Sequence, residues 1–179
     1  MEGLDMATDD FLPPSPWVVR FSELSPKYSP VLDLACGTGR HTKFFLAKGH
    51  PVSAVDRNLN SITDIHHELL SKVELDLETD TPWPLPTRYF GTVVVTNYLY
   101  RPILNQIVAS VARPGLLIYE TFAKGNEKYG RPSNPKFLLE PGELLELVRG
   151  HLRVVAYEDV TVSRPKLAAI QRICGYLEP

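Results

Sequence analysis

The chain has 179 residues, 44% of them hydrophobic, and 19 Lys+Arg against 21 Asp+Glu give it a formal net charge of −2. That length suits one domain of roughly 150 residues with short additions, and the apolar content builds a core without disulfide or metal staples. A pI near 6.2 argues against a dedicated nucleic-acid binder with a basic face, and the two cysteines, Cys36 and Cys174, form neither a disulfide framework nor a C-x-x-C site, which suits a reducing compartment, the cytoplasm by default.

Residues 1–10 are acidic, carry no basic side chain and contain no apolar core of signal-peptide length, so they read as a frayed start. No apolar run reaches the 18 residues of a membrane span. Ser15-Pro16-Trp17-Val18-Val19-Arg20-Phe21 offers an N-cap, a proline at the first helical position and an apolar stripe, which predicts a short helix stopping by Pro26. The short apolar run from Val31 to Cys36 enters the turn Gly37-Thr38-Gly39, and a helix over 40–48 follows, closed by Gly49. A second strand over 52–55 ends at Asp56. Ile62, Ile65 and Leu69 share a face that predicts a helix over 59–70, and the alternation of Val73, Leu75 and Leu77 with Glu74 and Asp76 predicts an edge strand over 72–77.

Thr92-Val93-Val94-Val95-Thr96 is a β-branched run suited to a strand buried on both faces. Pro102 then opens a helix with Ile103, Leu104, Ile107, Val108 and Val111 facing inward. A strand at 116–119, a helix over 141–148 and strands at 153–157 and 168–176, joined by a turn near Arg164-Pro165, complete the chain. Strands alternating with helices predict an α/β doubly wound, mostly parallel sheet covered on both faces, and the short last connection makes a terminal antiparallel hairpin. Proline, 16 of 179 residues and about twice the usual ~5%, falls mostly at 13–30, 82–86 and 132–141. Aromatic and aliphatic residues accompany each cluster, so these are ordered detours.

In doubly wound folds the ligand lies outside the carboxyl ends of the strands, and the first strand-to-helix turn makes the closest approach. Here that turn is Asp33-Leu34-Ala35-Cys36-Gly37-Thr38-Gly39-Arg40. Glycines 37 and 39 let the backbone pass close to a ligand and turn tightly into the helix. Asp56, 17 residues after Gly39 at the end of the second strand, is placed to accept from ribose hydroxyls. A dinucleotide site asks for G-x-G-x-x-G, whereas this chain has Thr42 at the third glycine and an acid, Asp33, inside the first strand. Those departures favour S-adenosylmethionine (SAM).

The run from Val31 to Arg40 resembles motif I of the class I SAM-dependent methyltransferases, and the likeness continues in order from about residue 29 to 122. The resemblance implies a Rossmann-like seven-stranded sheet of order 3-2-1-4-5-7-6 with strand 7 antiparallel. It also implies a single domain over 1–179, with 1–28 as an N-terminal extension and helix. Carried over, Asp33 and the backbone of Ala35, Cys36, Gly37 and Gly39 line the methionine end of the cofactor. Asp56, with Arg57 beside it, holds the ribose; Asp76, followed by Leu77, accepts from the adenine amino group; and the Asn97 carbonyl meets the ammonium. Ala35 stands where the family pattern has its first glycine, and Gly91 where many members have an acid. The Asn97-Tyr98-Leu99-Tyr100-Arg101-Pro102 stretch lacks the N-P-P-Y type sequence of amino-methylating nucleic-acid enzymes, and the chain has no room for a target-recognition domain. The overall pattern is also similar to the small bacterial methyltransferases of tellurite and thiopurine resistance.

This resemblance implies methyl transfer by in-line displacement to a small-molecule acceptor, anionic or neutral, with release of S-adenosylhomocysteine (SAH). The protein's task is then to hold nucleophile and methyl carbon about 3 to 3.5 Å apart in line. Asn97, Tyr98, Tyr100, Arg101 and Glu120 are the candidate catalytic residues, with Glu120 the candidate base if an oxygen must be deprotonated. Residues 122–138 hold Lys124, Lys128, Arg131 and Lys136 against only Glu127 and form a candidate substrate lid. Two alternatives stand beside this reading: a non-catalytic SAM- or SAH-binding module, and an RNA- or protein-directed methyltransferase using the basic lid. His66-His67 are adjacent and so cannot share a metal from one helix face. Cys36 and His41 lack a third group to orient them as a catalytic pair, and the sequence is silent on oligomeric state.

Overall fold

β1 (Val31–Leu34) is buried along its whole length because it lies between β2 (Val52–Asp56) and β4 (Phe90–Thr96), parallel to both. The structure, a computed structural model, describes residues 12–179; the acidic stretch at 1–10 lies outside them. Around β1 runs a seven-stranded sheet of order β3-β2-β1-β4-β5-β7-β6, with β3 (Leu70–Glu74) at one edge and β6 (Arg153–Val162) at the other. β5 (Val111–Phe122) runs parallel to β4, and β7 (Ala168–Leu177) is antiparallel to both β5 and β6.

Period-2 alternation along the central strands feeds two separate cores. Leu32, Leu34, Val93, Val95, Leu117 and Tyr119 face α3 (Leu104–Ala109) and α4 (Glu143–Val148), where Ile107 and Leu144 are fully buried. Val31, Val94, Leu116 and Ile118 pack with Trp17, Val18 and Phe21 of α1 (Pro16–Ser22) and Phe45 of α2 (Arg40–Ala47). Ser15 caps α1 and accepts from the Trp17 amide, with Pro16 at the first helical position, as its sequence predicts.

Three readings need correction. Residues 59–70 do not form a helix; only a single 3-10 turn, Asn60–Ile62, is present, and β3 begins at Leu70. The reason is local. Asn58 Oδ1 accepts from the Asn60 amide, Thr63 Oγ1 donates to the Asn60 carbonyl and His67 Nδ1 accepts from the Leu69 amide, so polar side chains offer this backbone partners that compete with a helix. Ile62 is nevertheless buried as its periodicity implies, packed with Cys36 and Ala54 beneath the glycine turn. β3 accordingly runs two to three residues earlier than the 72–77 expected, and Asp76 and Leu77 lie beyond its carboxyl end. Val111 belongs to β5 rather than to the helix that Pro102 was expected to open, which is a 3-10 turn (Arg101–Ile103) followed by α3.

The absent acid at Gly91 has a packing explanation. A Cβ there would lie 2.1 Å from Ser29 Oγ and 2.3 Å from Ser29 Cβ, and the Ser29 hydroxyl is itself tied to the Pro26 carbonyl at 2.7 Å. The segment before β1 therefore occupies the space a side chain at 91 would need.

Candidate functional site

The sheet order reverses between β1 and β4, and the carboxyl ends of β1, β2 and β4 converge at that switch point. The first turn leaves β1 through Ala35 at φ 53° and Gly37 at φ 53° and enters α2 through Gly39 at φ 72°. Ala35 thus adopts the left-handed backbone of the glycine it replaces, at a cost of about 1–2 kcal/mol for an L-residue. The two glycines do different work. A Cβ on Gly37 would meet nothing within 4 Å, so its face is open to a ligand, whereas a Cβ on Gly39 would meet Ile62 Cγ2 at 2.7 Å and Ile65 Cδ1 at 2.9 Å. Gly39 lets the 59–70 segment pack under the turn.

Asp56, at the end of β2, accepts from the Gly37 amide at 2.9 Å and from the Asn58 amide at 3.1 Å. The ribose candidate and the glycine turn are therefore brought together. Arg57 beside it and Asp76 are exposed and Leu77 is buried; Asp76 Oδ1 accepts from the Glu78 amide at 2.9 Å. Asp33 is only 2% exposed, and its carboxyl accepts from Thr42 Oγ1 at 2.6 Å. Burial raises it to about 6 against that hydrogen bond. Cys36 is buried, and loss of hydration pushes its thiol well up, with Asp33 and Asp56 adding to the shift, so the sulfur is held protonated. His41 is 1% exposed and accepts the Ser15 amide on Nε2 at 3.1 Å; burial lowers it to about 3. It is a neutral acceptor that seats α1 on α2.

On the other side of the switch point, Asn97 follows β4 at φ 54°, and its amide donates to the Glu120 carbonyl at 2.9 Å. The Tyr119 hydroxyl donates to the Tyr98 carbonyl at 2.8 Å, and Tyr98 and Tyr100 pack against the larger core cluster. Glu120 is not a free carboxylate. Its Oε1 accepts from Ser15 Oγ at 2.7 Å and its Oε2 from Arg172 at 3.2 Å, while Arg172 also donates to Glu158 at 2.8 Å and lies 4.6 Å over the Trp17 ring. Trp17 itself is 2% exposed and donates to the Ile173 carbonyl. Ser15 and Arg172 did not stand out in the sequence. Ser15 was legible only as an N-cap, and Arg172 faces Glu120 solely through the β5–β7 register.

Arg101 is likewise engaged. It donates to both oxygens of Glu143 at 2.8 Å, to the Lys136 carbonyl at 2.9 Å and to the Leu138 carbonyl at 2.8 Å. This fork clasps the loop after β4 to α4 and to the far end of residues 122–138. Asn126, 2% exposed, ties the near end, accepting from the Ala169 amide and donating to the Pro132 carbonyl. Arg101→Ala removes several charge-assisted bonds, each worth about 1.5–3 kcal/mol. Tryptic cleavage after Lys128 and Lys136 is expected to accelerate by about tenfold or more in native buffer; an unchanged cleavage rate would show that the clasp does not hold this segment.

Comparison with known proteins follows the same lines. Residues 18–83 match the family model of the tellurite resistance protein TehB, a span that includes the glycine turn, Asp56 and Asp76. Solved structures superpose over nearly the whole chain. TehB from Haemophilus influenzae gives a TM-score of 0.69 at 18% identity, over 90% of this chain and 61% of that one. A SAM-dependent methyltransferase from Mesorhizobium loti gives 0.67 at 12%, over 88% and 96%. The fold is that of the class I SAM-dependent methyltransferases. A 1,6-didemethyltoxoflavin N1-methyltransferase from Burkholderia thailandensis, solved with 1,6-didemethyltoxoflavin and SAH, gives 0.62 at 20%, over 91% of this chain and 76% of that one. No curated protein sequence matches significantly. In this methyltransferase fold the seven-strand order and the antiparallel β7 are those implied by the sequence resemblance.

Proposed function

We propose that this chain transfers a methyl group from SAM to a small, negatively charged acceptor and releases SAH. The observation that carries the reading is the open face of Gly37 beside the Asp56 carboxylate, at the strand-order reversal. SAM supplies an activated methyl group on a sulfonium sulfur. Asp33 and the Ala35, Cys36, Gly37 and Gly39 backbone would border its methionine end, Asp56 and Arg57 its ribose, Asp76 and Leu77 its adenine, and the Asn97 carbonyl its ammonium. Asn97, Tyr98, Tyr100, Arg101 and Glu120 border the acceptor side. Because Glu120 and Arg101 are already engaged by Ser15, Arg172 and Glu143, we assign them to positioning. An acceptor that needs no base, such as a thiolate or a metalloid anion, suits such a site.

The negative charge of the acceptor is argued from charge segregation. Residues 122–138 and the β6–β7 turn at 163–167 hold six of the 19 basic and one of the 21 acidic residues; these 22 residues carry +5 and the other 157 carry −7. Both segments leave the carboxyl edge of the sheet and touch. Lys166 Nζ of the turn lies 5.9 Å from the Phe122 ring centre, and just inside β7 the Ala169 carbonyl accepts from the Ala123 amide at 2.9 Å. Among the described residues only Lys124 of the six is ion-paired, with Glu140. A basic rim over the acceptor side concentrates anions and lets 122–138 act as a substrate lid.

Calorimetric titration of the purified protein with SAH and with NAD tests the reading: SAH is expected to bind and NAD to give no heat. No SAH binding by well-folded protein would sink it. For a turned-over acceptor, KM is expected to rise a few-fold between low and physiological salt. A loss of 10³-fold or more over that range is the signature of many phosphate contacts and would point to RNA instead.

A further inference from the structure

β6 and β7 stay paired as far as Val162 and Ala168, so residues 163–167 form the tip of a hairpin at the ligand edge, with Arg164 and Lys166 exposed on it. Four of the nine large apolar side chains that stand exposed among the described residues belong to this hairpin or to 122–138: Val160 is 38% exposed, Leu167 50%, Tyr129 42% and Phe137 46%. The two segments, 122–138 and 160–167, hold only 25 of the 168 described residues, so exposed apolar surface gathers where the basic charge does. Such a gathering of exposed apolar groups marks a surface of contact.

Basic charge fits two kinds of anionic partner, nucleic acid and lipid headgroups, and the aliphatic side chains separate them. Single-stranded nucleic acid rewards aromatic faces on which bases stack, and Val160 and Leu167 have none. A bilayer interface rewards aromatic and aliphatic groups alike, with rings at headgroup level and aliphatic side chains at the acyl boundary, while neighbouring lysines and arginines meet the lipid anions. The net charge of −2 does not oppose this contact. Six carboxylates between 64 and 80 lie around β3, at the opposite edge of the sheet from β6. Six strand spacings of about 4.8 Å put those edges about 29 Å apart, against a screening length of about 8 Å at physiological salt. The rim therefore meets an anionic surface with its own charge, and the acidic edge is turned away.

We propose that the β6–β7 hairpin tip and residues 122–138 seat the protein on an anionic lipid surface, their apolar side chains entering the interface and their cations meeting lipid phosphates. The docking itself does not require SAM; its consequence rests on the methyl-transfer reading. An anionic surface repels free anions, so the acceptor that reaches the docked enzyme is a small anionic amphiphile already held in the interface.

Sedimentation of the full chain with vesicles tests the docking. Mixed phosphatidylserine and phosphatidylcholine vesicles are expected to carry the protein down at low salt, and phosphatidylcholine alone is not. Arg164→Gln combined with Lys166→Gln is expected to weaken the association by about tenfold or more, and Leu167→Ser by about tenfold. Melting temperatures should not change, because all three side chains are exposed. No sedimentation with the mixed vesicles would overturn the proposal. So would sedimentation that Leu167→Ser leaves unchanged, which marks charge adsorption without insertion. A single-stranded RNA oligonucleotide bound with a steep salt dependence, by protein that ignores the mixed vesicles, would assign the rim to nucleic acid instead. Calorimetry with SAH on the same preparation reads the cofactor site separately, so the failure of either reading is seen apart from the other.

Discussion

Asp56→Ala is expected to lower the affinity for SAH by about two to four orders of magnitude while leaving the fold in place. The carboxylate is partly exposed and, among the described residues, forms two bonds, to the Gly37 and Asn58 amides, so its removal exposes two peptide groups to water instead of burying them unpaired. In the complex it is the acceptor assigned to the ribose hydroxyls, and hydrogen bonds to a charged group are worth about 1.5–3 kcal/mol each. Two of them correspond to roughly 10² to 10⁴ in affinity. Calorimetry with SAH measures the loss, and a circular dichroism melt checks the fold. Affinity within threefold of wild type would remove Asp56 from the site.

Asp33→Asn is expected to act in opposite senses on the free protein and on the complex. Burial raises the Asp33 carboxyl from 3.8 to about 6 in the folded state, and among the described residues Thr42 alone answers it with a hydrogen bond. The folded protein therefore holds this proton more tightly than the unfolded chain. The associated stability is complete below about pH 4 and is lost as the pH rises through about 6. The loss is about 3 kcal/mol at 1.36 kcal/mol per unit. Asparagine keeps an acceptor for Thr42 without the buried charge. The variant should melt about 6–12 °C higher than wild type at pH 7.5, with a flatter pH dependence between 4 and 6, and should bind SAH more weakly if Asp33 borders the methionine end as proposed, because that negative charge is gone. Equal melting temperatures at pH 7.5 would contradict the strain assigned to Asp33.

Both effects come from residues that can be picked out of the sequence. Asp33 and Asp56 end or lie within short apolar runs, and the glycine turn between the first strand and the first long helix is a contiguous motif. Nothing beyond about twenty residues is needed to relate them. The same locality made the strand succession readable, since β-branched and apolar runs bounded by glycine and proline report on backbone geometry where they stand.

The failures arise where one local preference competed with another, or where the partner was distant. Between 59 and 70 the apolar spacing is helical, but Asn58, Thr63 and His67 bond to nearby backbone groups and the helix is lost. Glu120 resembles an available base until Arg172, 52 residues on, and Ser15, 105 residues back, are placed against it. Arg101 resembles a substrate contact until Glu143 closes on it from 42 residues away.

The sequence by itself therefore determined the succession of strands and helices, the glycine turn and the Asp56 that bonds to it, because hydrophobic period and turn chemistry act over a few residues, while the strand order followed from the family resemblance. Only the tertiary structure decided which charged groups are spent on one another and which remain for a ligand. Register across β5 and β7, the Arg101 clasp and the meeting of 122–138 with the β6–β7 turn are contacts between segments whose separation in the chain carries no local signal.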